Sequence, residues 1–248
     1  MCTLTWLRRE DGYELFFNRD EARTRLPALP PRAQRRGEVE FLCPLDADAG
    51  GTWLGVNAYG LTVGLLNGRA DAPVPPAPLS RGLLVLGLLD ARGSAEVAER
   101  LAAADLASTR AFRLIALEPG ELLLDAAWDG RDLRLARRPD AEQPVCSSSL
   151  DPEGATASRS AAWRAVRERG TPDVAVHEAF HASHEPERGP LSTCVHRPDA
   201  VTVSTSRTRV DAGRVQLGYR PGSPCEAGDF EWHALARRPL PAAGRSRA

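Results

Sequence analysis

Lysine is missing from this chain: all 32 basic side chains are arginine, Ile115 is the one isoleucine and Met1 the one methionine. Asparagine is almost as scarce, at Asn18, Asn57 and Asn67 alone. Depletion of these types together reads as nucleotide-composition pressure on the whole gene, and it draws attention to the asparagines that survive. Net charge is lacking too. Thirty-two arginines against 33 carboxylates give a formal charge of -1, which makes neither nucleic acid nor an anionic membrane surface a favoured partner. No apolar run approaches the roughly 20 residues that span a bilayer; the longest, Leu83 to Leu89, falls far short. No charged-then-apolar signal segment precedes Cys2, so a cytoplasmic protein with no membrane span is expected. The five cysteines, Cys2, Cys43, Cys146, Cys194 and Cys225, contain no CxxC pair and are odd in number. That spacing suits neither a disulfide framework nor a zinc ribbon, and the last four read as small buried hydrophobes.

What is present reads as strand runs separated by helix pairs, an α+β layered pattern rather than a parallel doubly wound one. Cys2 to Leu7 alternates, Asp11-Gly12 is a two-residue turn signal, and Tyr13 to Phe17 is the return strand. With Asp11 and Gly12 as the central turn residues, Cys2 faces Glu21 and lies diagonal to Arg19. Either that register or one slipped by a residue delivers Asn18-Arg19-Asp20-Glu21 beside the chain terminus. Arg25 to Arg36 reads as a surface loop, and Thr52 to Val56 with Leu61 to Leu65 as a second hairpin that returns Asn67 toward Gly51. Ala72 to Pro78 is a Pro-rich connection. Helices are expected over Gly82 to Ala91 with Ser80 as N-cap, over Ala95 to Ala104 opened by Ser94, near Arg159 to Arg169, and over Asp173 to Ser183 capped by Thr171. Strands are expected over Phe112 to Leu117, Glu121 to Trp128, Asp132 to Arg137, Val201 to Ser206 and Arg214 to Tyr219. The whole reads as one domain over 1–238 with a disordered Pro-, Ala- and Arg-rich tail over 239–248.

The chemistry gathers at residue 2. Removal of Met1 is favoured before a small residue and leaves Cys2 with a free α-amine. A thiol titrating near roughly 8.5 and an amine near roughly 7.7 to 8.0 then share one residue, nucleophile and base together. An adjacent Arg19 would stabilise the thiolate and Asp20 would orient the ammonium. The side-chain amide of Asn67 is a candidate donor to a developing oxyanion. Such a set suits attack on an amide or thioester carbonyl.

The ordered motifs Met1-Cys2-Thr3-Leu4, Asn18-Arg19-Asp20-Glu21, Gly51-Thr52-Trp53-Leu54-Gly55 and Leu66-Asn67 resemble the NRDE-motif family, the transport and Golgi organisation protein 2 group. The likeness continues through Ser147-Ser148-Ser149, Ser192 to Arg197 and Thr202-Val203-Ser204. That family shares its fold with N-terminal nucleophile (Ntn) hydrolases. The resemblance implies a four-layer αββα sandwich with Cys2 at the open end of its sheets. It implies Cys2 as nucleophile, Asp20 as the amine-orienting carboxylate, Arg19 as thiolate neighbour and Asn67 as oxyanion donor. Cysteine Ntn amidases space Arg and Asp three apart, whereas Arg19 and Asp20 are adjacent, so one of the two is expected to point away from Cys2. Where many of them carry a second asparagine this chain has Ser147-Ser148-Ser149, which makes Ser148 a candidate for substrate contact. Asn18, Trp53 and His196 complete the weaker substrate-binding candidates. No cofactor is required for this chemistry, and the wider family implies haem or acyl-coenzyme A as a possible ligand, with His196 a candidate haem contact.

One motif competes. His177-Glu178-Ala179-Phe180-His181 matches the HExxH pattern of zinc peptidases. Such a site needs a third protein ligand, yet Pro186 and Pro190 end the segment, and His184 lies two turns from His177, about 10 Å along the helix axis. An amphipathic surface helix and no metal are expected here. Three readings follow: an Ntn amidohydrolase or thioesterase acting on a small acyl compound, a non-catalytic carrier of haem or acyl-coenzyme A, and, remotely, a zinc metallopeptidase.

Overall fold

The computed structural model describes residues 2–69, 79–120, 122–139 and 142–240. Two antiparallel sheets lie face to face. The first contains β1 (Cys2–Arg9), β2 (Gly12–Ala22), β10 (Val145–Ser147), β11 (Ala200–Val210), β12 (Arg214–Pro221) and β13 (Glu231–Ala236), in the order β10-β1-β2-β11-β12-β13. The second contains β3 (Leu29–Arg36), β4 (Val39–Leu45), β5 (Leu54–Asn57), β6 (Thr62–Asn67), β7 (Phe112–Leu117), β8 (Leu123–Trp128) and β9 (Leu133–Arg138), in sequence order. Alternation along β1 and β2 sends Cys2, Leu4, Trp6, Leu15 and Phe17 into the core between the sheets, where Leu42, Leu54 and Ile115 meet them. Helices α1 (Arg81–Leu88) and α2 (Ser94–Ala103) cover the outer face of the second sheet through Val85, Leu88, Val97 and Leu101. Helices α3 (Pro152–Glu168) and α4 (Val174–Ala182) cover the outer face of the first. The result is the expected αββα sandwich.

The first hairpin turns one residue earlier than Asp11-Gly12 suggests. Arg9 pairs with Gly12, so Glu10 and Asp11 form the turn and Gly12 belongs to β2. Its glycine serves a close approach: a Cβ there would lie 1.9 Å from the Val210 carbonyl oxygen on the neighbouring β11. Cross-strand partners therefore shift by two, which keeps every side chain on its expected face but sets Cys2 directly opposite Arg19 instead of Glu21.

Other elements depart from the sequence reading for local reasons. Within Arg25 to Arg36, residues Leu29–Arg36 form the edge strand β3, whose Pro30, Pro31 and exposed arginines are the features of a protected edge. Strands β4 and β13 were not foreseen. Helix α3 starts seven residues before Arg159, because Asp151 accepts the Gly154 N–H and Pro152 occupies the first turn. Asp173, not Thr171, caps α4 by accepting from the Val176 N–H. Gly93 and not Ser94 stands at the N-cap of α2. The Ala72 to Pro78 connection and residues 241–248 of the expected tail lie outside the described residues.

Candidate active site

Cys2 opens β1 between β10 and β2, paired with Ser147 on one side and Arg19 on the other. It is 7 % exposed and sits on the wall of a cleft of about 470 Å³ shared with Arg19, Asp46, Trp53, Asn67 and Arg81. The Cys2 backbone nitrogen donates to Ser147 Oγ at 3.1 Å. Burial pushes the thiol up, while the Arg19 charge and the Asp20 backbone N–H pull the other way.

Arg19 is fixed from three directions. Its Nη2 donates to Asp46 Oδ2 at 2.7 Å and to Glu21 Oε2 at 3.3 Å, and its guanidinium lies 4.2 Å over the Trp53 ring. Asp46 also takes Arg25 at 2.5 Å and the backbone N–H groups of Asp48 and Ala49, so the loop after β4 is folded around this carboxylate. Burial opposes it, yet the Ala49 N–H and the two guanidinium groups hold the Asp46 carboxyl below its usual range.

Adjacent strand residues face opposite ways, and Arg19 and Asp20 obey this. Arg19 shares the inter-sheet face with Cys2, whereas the Asp20 carboxylate turns toward α3. There Thr202 Oγ1 donates to its Oδ1 at 2.6 Å and the fully buried Arg159 stands 3.9 Å from its Oδ2. Burial pushes the Asp20 carboxyl up against the lowering effects of Arg159 and Thr202. Arg159 in turn donates to Thr3 Oγ1 at 2.9 Å, so the chain start is tied to the same buried network. Asp20 still borders the Cys2 cleft.

The remaining predicted residues separate. Asn67 is exposed at the end of β6 and lines both the Cys2 cleft and a neighbouring one shared with Ser147 and Ser148. Trp53 lines the cleft as the platform beneath Arg19. Ser148 lies one residue beyond the partner of Cys2; its Oγ accepts from the Leu150 and Asp151 N–H groups at the entry to α3, and Ser147 is the serine that meets Cys2. Asn18 is a brace: its Nδ2 donates to the His181 and Thr193 carbonyls, and its Oδ1 accepts from Thr205. His196 packs against His184 and is not among the residues lining the cleft. Asp46, Arg81, Arg110 and Ser147 line or support the site without having been predicted. Ser147 was within reach of the serine triplet; nothing in the spacing of the other three pointed to Cys2.

The histidine face of the HExxH helix is turned into the core. Thr5 Oγ1 lies 2.8 Å from His177 Nδ1 and 2.9 Å from His181 Nε2, so one hydroxyl can accept from one ring and donate to the other. Phe16 stacks on His177 with centroids 4.7 Å apart. Burial pushes His177 down to about 4 and lowers His181 well below its usual value. Glu178 points elsewhere, to Arg207 at 2.7 Å. The helix is amphipathic and lies at the surface as expected, with Ala175, Glu178 and Ala179 exposed and both histidines, each 1 % exposed, on its buried face, where the shared Thr5 hydroxyl gives them a structural role in place of the peptidase one. No helix among the described residues is long and apolar enough to cross a membrane.

Comparison with solved structures finds this architecture in Ntn hydrolases. A cysteine-to-alanine mutant of the conjugated bile acid hydrolase from Clostridium perfringens superposes with a TM-score of 0.56 at 12% identity, covering 95% of this chain and 92% of that one. Penicillin V acylase from Agrobacterium tumefaciens gives 0.53 at 14% identity, covering 89% of this chain and 83% of that one. Identities this low establish a shared fold only. No curated protein matches the sequence. The family model described as Transport and Golgi organisation 2 matches residues 1–128, more than half of the 248. The chain, an α+β sandwich of the Ntn-hydrolase type, belongs to the Transport and Golgi organisation 2 family.

Proposed function

We propose that this protein is an N-terminal-cysteine hydrolase that cleaves an acyl amide or thioester after Met1 is removed. The observation that carries the reading is the placement of Cys2. Its thiol lines a cleft, the Asp20 backbone N–H faces the sulfur, and Arg19 stands directly across the strand pair. Once Met1 is gone the Cys2 nitrogen, now 3.1 Å from Ser147 Oγ, becomes an amine able to accept the thiol proton. The sulfur attacks the carbonyl carbon, and the oxyanion forms where Asn67 and a backbone N–H can donate. The ammonium then gives its proton to the departing amine or thiol. Water, deprotonated by the same amine, releases the acid and restores the thiol. Asp20 acts in this scheme through the buried Arg159–Thr3 network at the chain start rather than by direct contact with the sulfur.

The cleft also carries charge. Arg81 and Arg110 line it in addition to the Asp46-bound Arg19 and Arg25, which favours a substrate bearing a carboxylate or comparable anion near the scissile bond. The names of the structural neighbours, a conjugated bile acid hydrolase and a penicillin acylase, support C–N bond cleavage as the first class to screen. The test is a panel of anionic N-acyl amides and acyl thioesters, read by product release and by the mass of an acyl adduct on Cys2. Turnover and adduct in the processed chain, both lost in Cys2→Ala, are expected. Full turnover by Cys2→Ala would remove the nucleophile assignment. Binding of acyl-coenzyme A or haem by both proteins with no product would favour a carrier.

A further inference from the structure

Away from the cleft, four side chains from three segments converge. His184 follows the last turn of α4, Cys194 and His196 lie on the segment leading to β11, and Cys225 follows β12. Each offers one donor atom, and all four atoms lie within 4.8 Å of one another. His196 Nε2 is 3.4 Å from Cys194 Sγ and 3.4 Å from Cys225 Sγ. The His184 and His196 rings meet edge to face at 5.0 Å. His184 Nε2 is buried with no hydrogen-bond partner.

We propose that His184, Cys194, His196 and Cys225 form a structural zinc site. Zinc bonds of about 2.3 Å to sulfur and about 2.0–2.1 Å to nitrogen put neighbouring donors of a tetrahedron about 3.3–3.8 Å apart. The two sulfur-to-nitrogen separations of 3.4 Å already match that edge. Two nitrogens with two sulfurs is a donor set zinc takes, and two thiolates cancel the charge of the ion, so a neutral centre can sit in a partly buried place. An orphaned His184 nitrogen gains the partner it lacks. Four protein ligands close the coordination shell, which makes the site structural and leaves no open position for a substrate. Binding through Nε2 places the proton of His196 on Nδ1 and displaces the exposed Arg188 guanidinium that now approaches that nitrogen at 3.2 Å.

Backbone hydrogen bonds already hold the frame. The Cys194 N–H donates to the Ser183 carbonyl at 3.0 Å and the His196 N–H to the Gly189 carbonyl at 3.3 Å. Between them, the Val195 N–H donates to Thr202 Oγ1 at 2.8 Å, the same hydroxyl that donates to Asp20. The metal would therefore pin the 184–197 segment from which the support of Asp20 extends. Spacing hid this site, because the ligands are separated by nine, one and 28 residues, a pattern with no CxxC or HxxxH signature.

The test uses the full chain purified under reductant. One zinc per chain by elemental analysis is expected. After chelator treatment, Co2+ should give the thiolate-to-cobalt charge-transfer band and the visible bands of a tetrahedral centre. Cys225→Ser, at an exposed position where folding is not at stake, and His184→Ala should each lose that spectrum, while Cys146→Ser keeps it. His177→Gln should keep it too, which separates this centre from the HExxH helix. A Co2+ spectrum without the charge-transfer band, a band undiminished in Cys225→Ser, or reduced protein that holds neither zinc nor Co2+ would each overturn the proposal.

Discussion

Replacing Arg159 by methionine keeps most of the side-chain volume and removes the one cation facing the buried Asp20 carboxylate from α3. Both side chains are fully buried, and the guanidinium also donates to Thr3 Oγ1. Breaking a buried pair by deleting one member costs about 3–5 kcal/mol, because the remaining charge is left uncompensated. For a chain of this size each kcal/mol lowers the melting temperature by about 2–4 °C, so a fall of roughly 6–20 °C is expected at pH 7. The loss should be pH-dependent. Burial already raises the Asp20 pKa in the folded state, and without Arg159 it rises further. An acid whose folded pKa is raised binds more protons folded than unfolded in the window above its ordinary value, so stability falls as pH rises through that window. Protonation relieves the variant on acidification, and the gap to the wild type should narrow from pH 7 toward pH 5. His181, whose ring the Arg159 charge also disfavours from protonating, shifts in the same sense. Circular-dichroism melts of both proteins across that range measure the gap. A variant within about 1 kcal/mol of the wild type at pH 7, or a gap that does not change with pH, would refute the assignment of Arg159 as the counter-charge that makes a buried Asp20 tolerable.

Four further outcomes are expected. Intact mass of the purified protein should show Met1 absent and Cys2 unacetylated; a retained methionine removes the amine base and with it the proposed mechanism. Cys2→Ala should cost only about 1 kcal/mol in denaturant titration, since one sulfur at a strand terminus is lost, and a collapse of the fold would point to a structural role. Thr5→Val should cost about 1–3 kcal/mol by leaving two buried imidazoles without their shared hydroxyl, with zinc content unchanged. Gly12→Ala should destabilise by about 1–3 kcal/mol through the clash with Val210, and a neutral melt would mean that β2 and β11 can part there.

Much of the architecture was legible in the chain because it is written locally. Alternation marked β1, strand runs marked β7, β8 and β12, turn residues bracketed the β5–β6 hairpin, and the hairpin register placed Arg19 near Cys2. The adjacency of Arg19 and Asp20, set against the wider spacing in the cysteine Ntn amidases, led to the expectation that one of them points away from Cys2, and strand alternation is the physical reason. The edge strand β3 was not legible, because prolines that lack an N–H and charged arginines discourage further strand pairing and give the segment the composition of a loop.

Contacts between distant segments belonged to the tertiary structure. The Cys2–Arg19 register follows from a turn at Glu10-Asp11 that leaves Gly12 in β2, where its missing side chain admits the Val210 carbonyl of a strand some 200 residues away. The partner of Asp20 came from α3, and the holder of Arg19 came from Asp46, whose loop carries no motif. The HExxH pattern was present in full, yet its chemistry was decided by Thr5 and Phe16 packing onto its histidines. His184, Cys194, His196 and Cys225 carry no shared spacing and meet only because three chain segments fold to one end of the first sheet. Sequence by itself determined periodicity and turns and singled out Cys2 as the candidate nucleophile, all read from neighbours along the chain. Which charges are paired, which histidines are satisfied and which thiols meet depended on long-range packing, where energy comes from burial and contact rather than from position in the sequence.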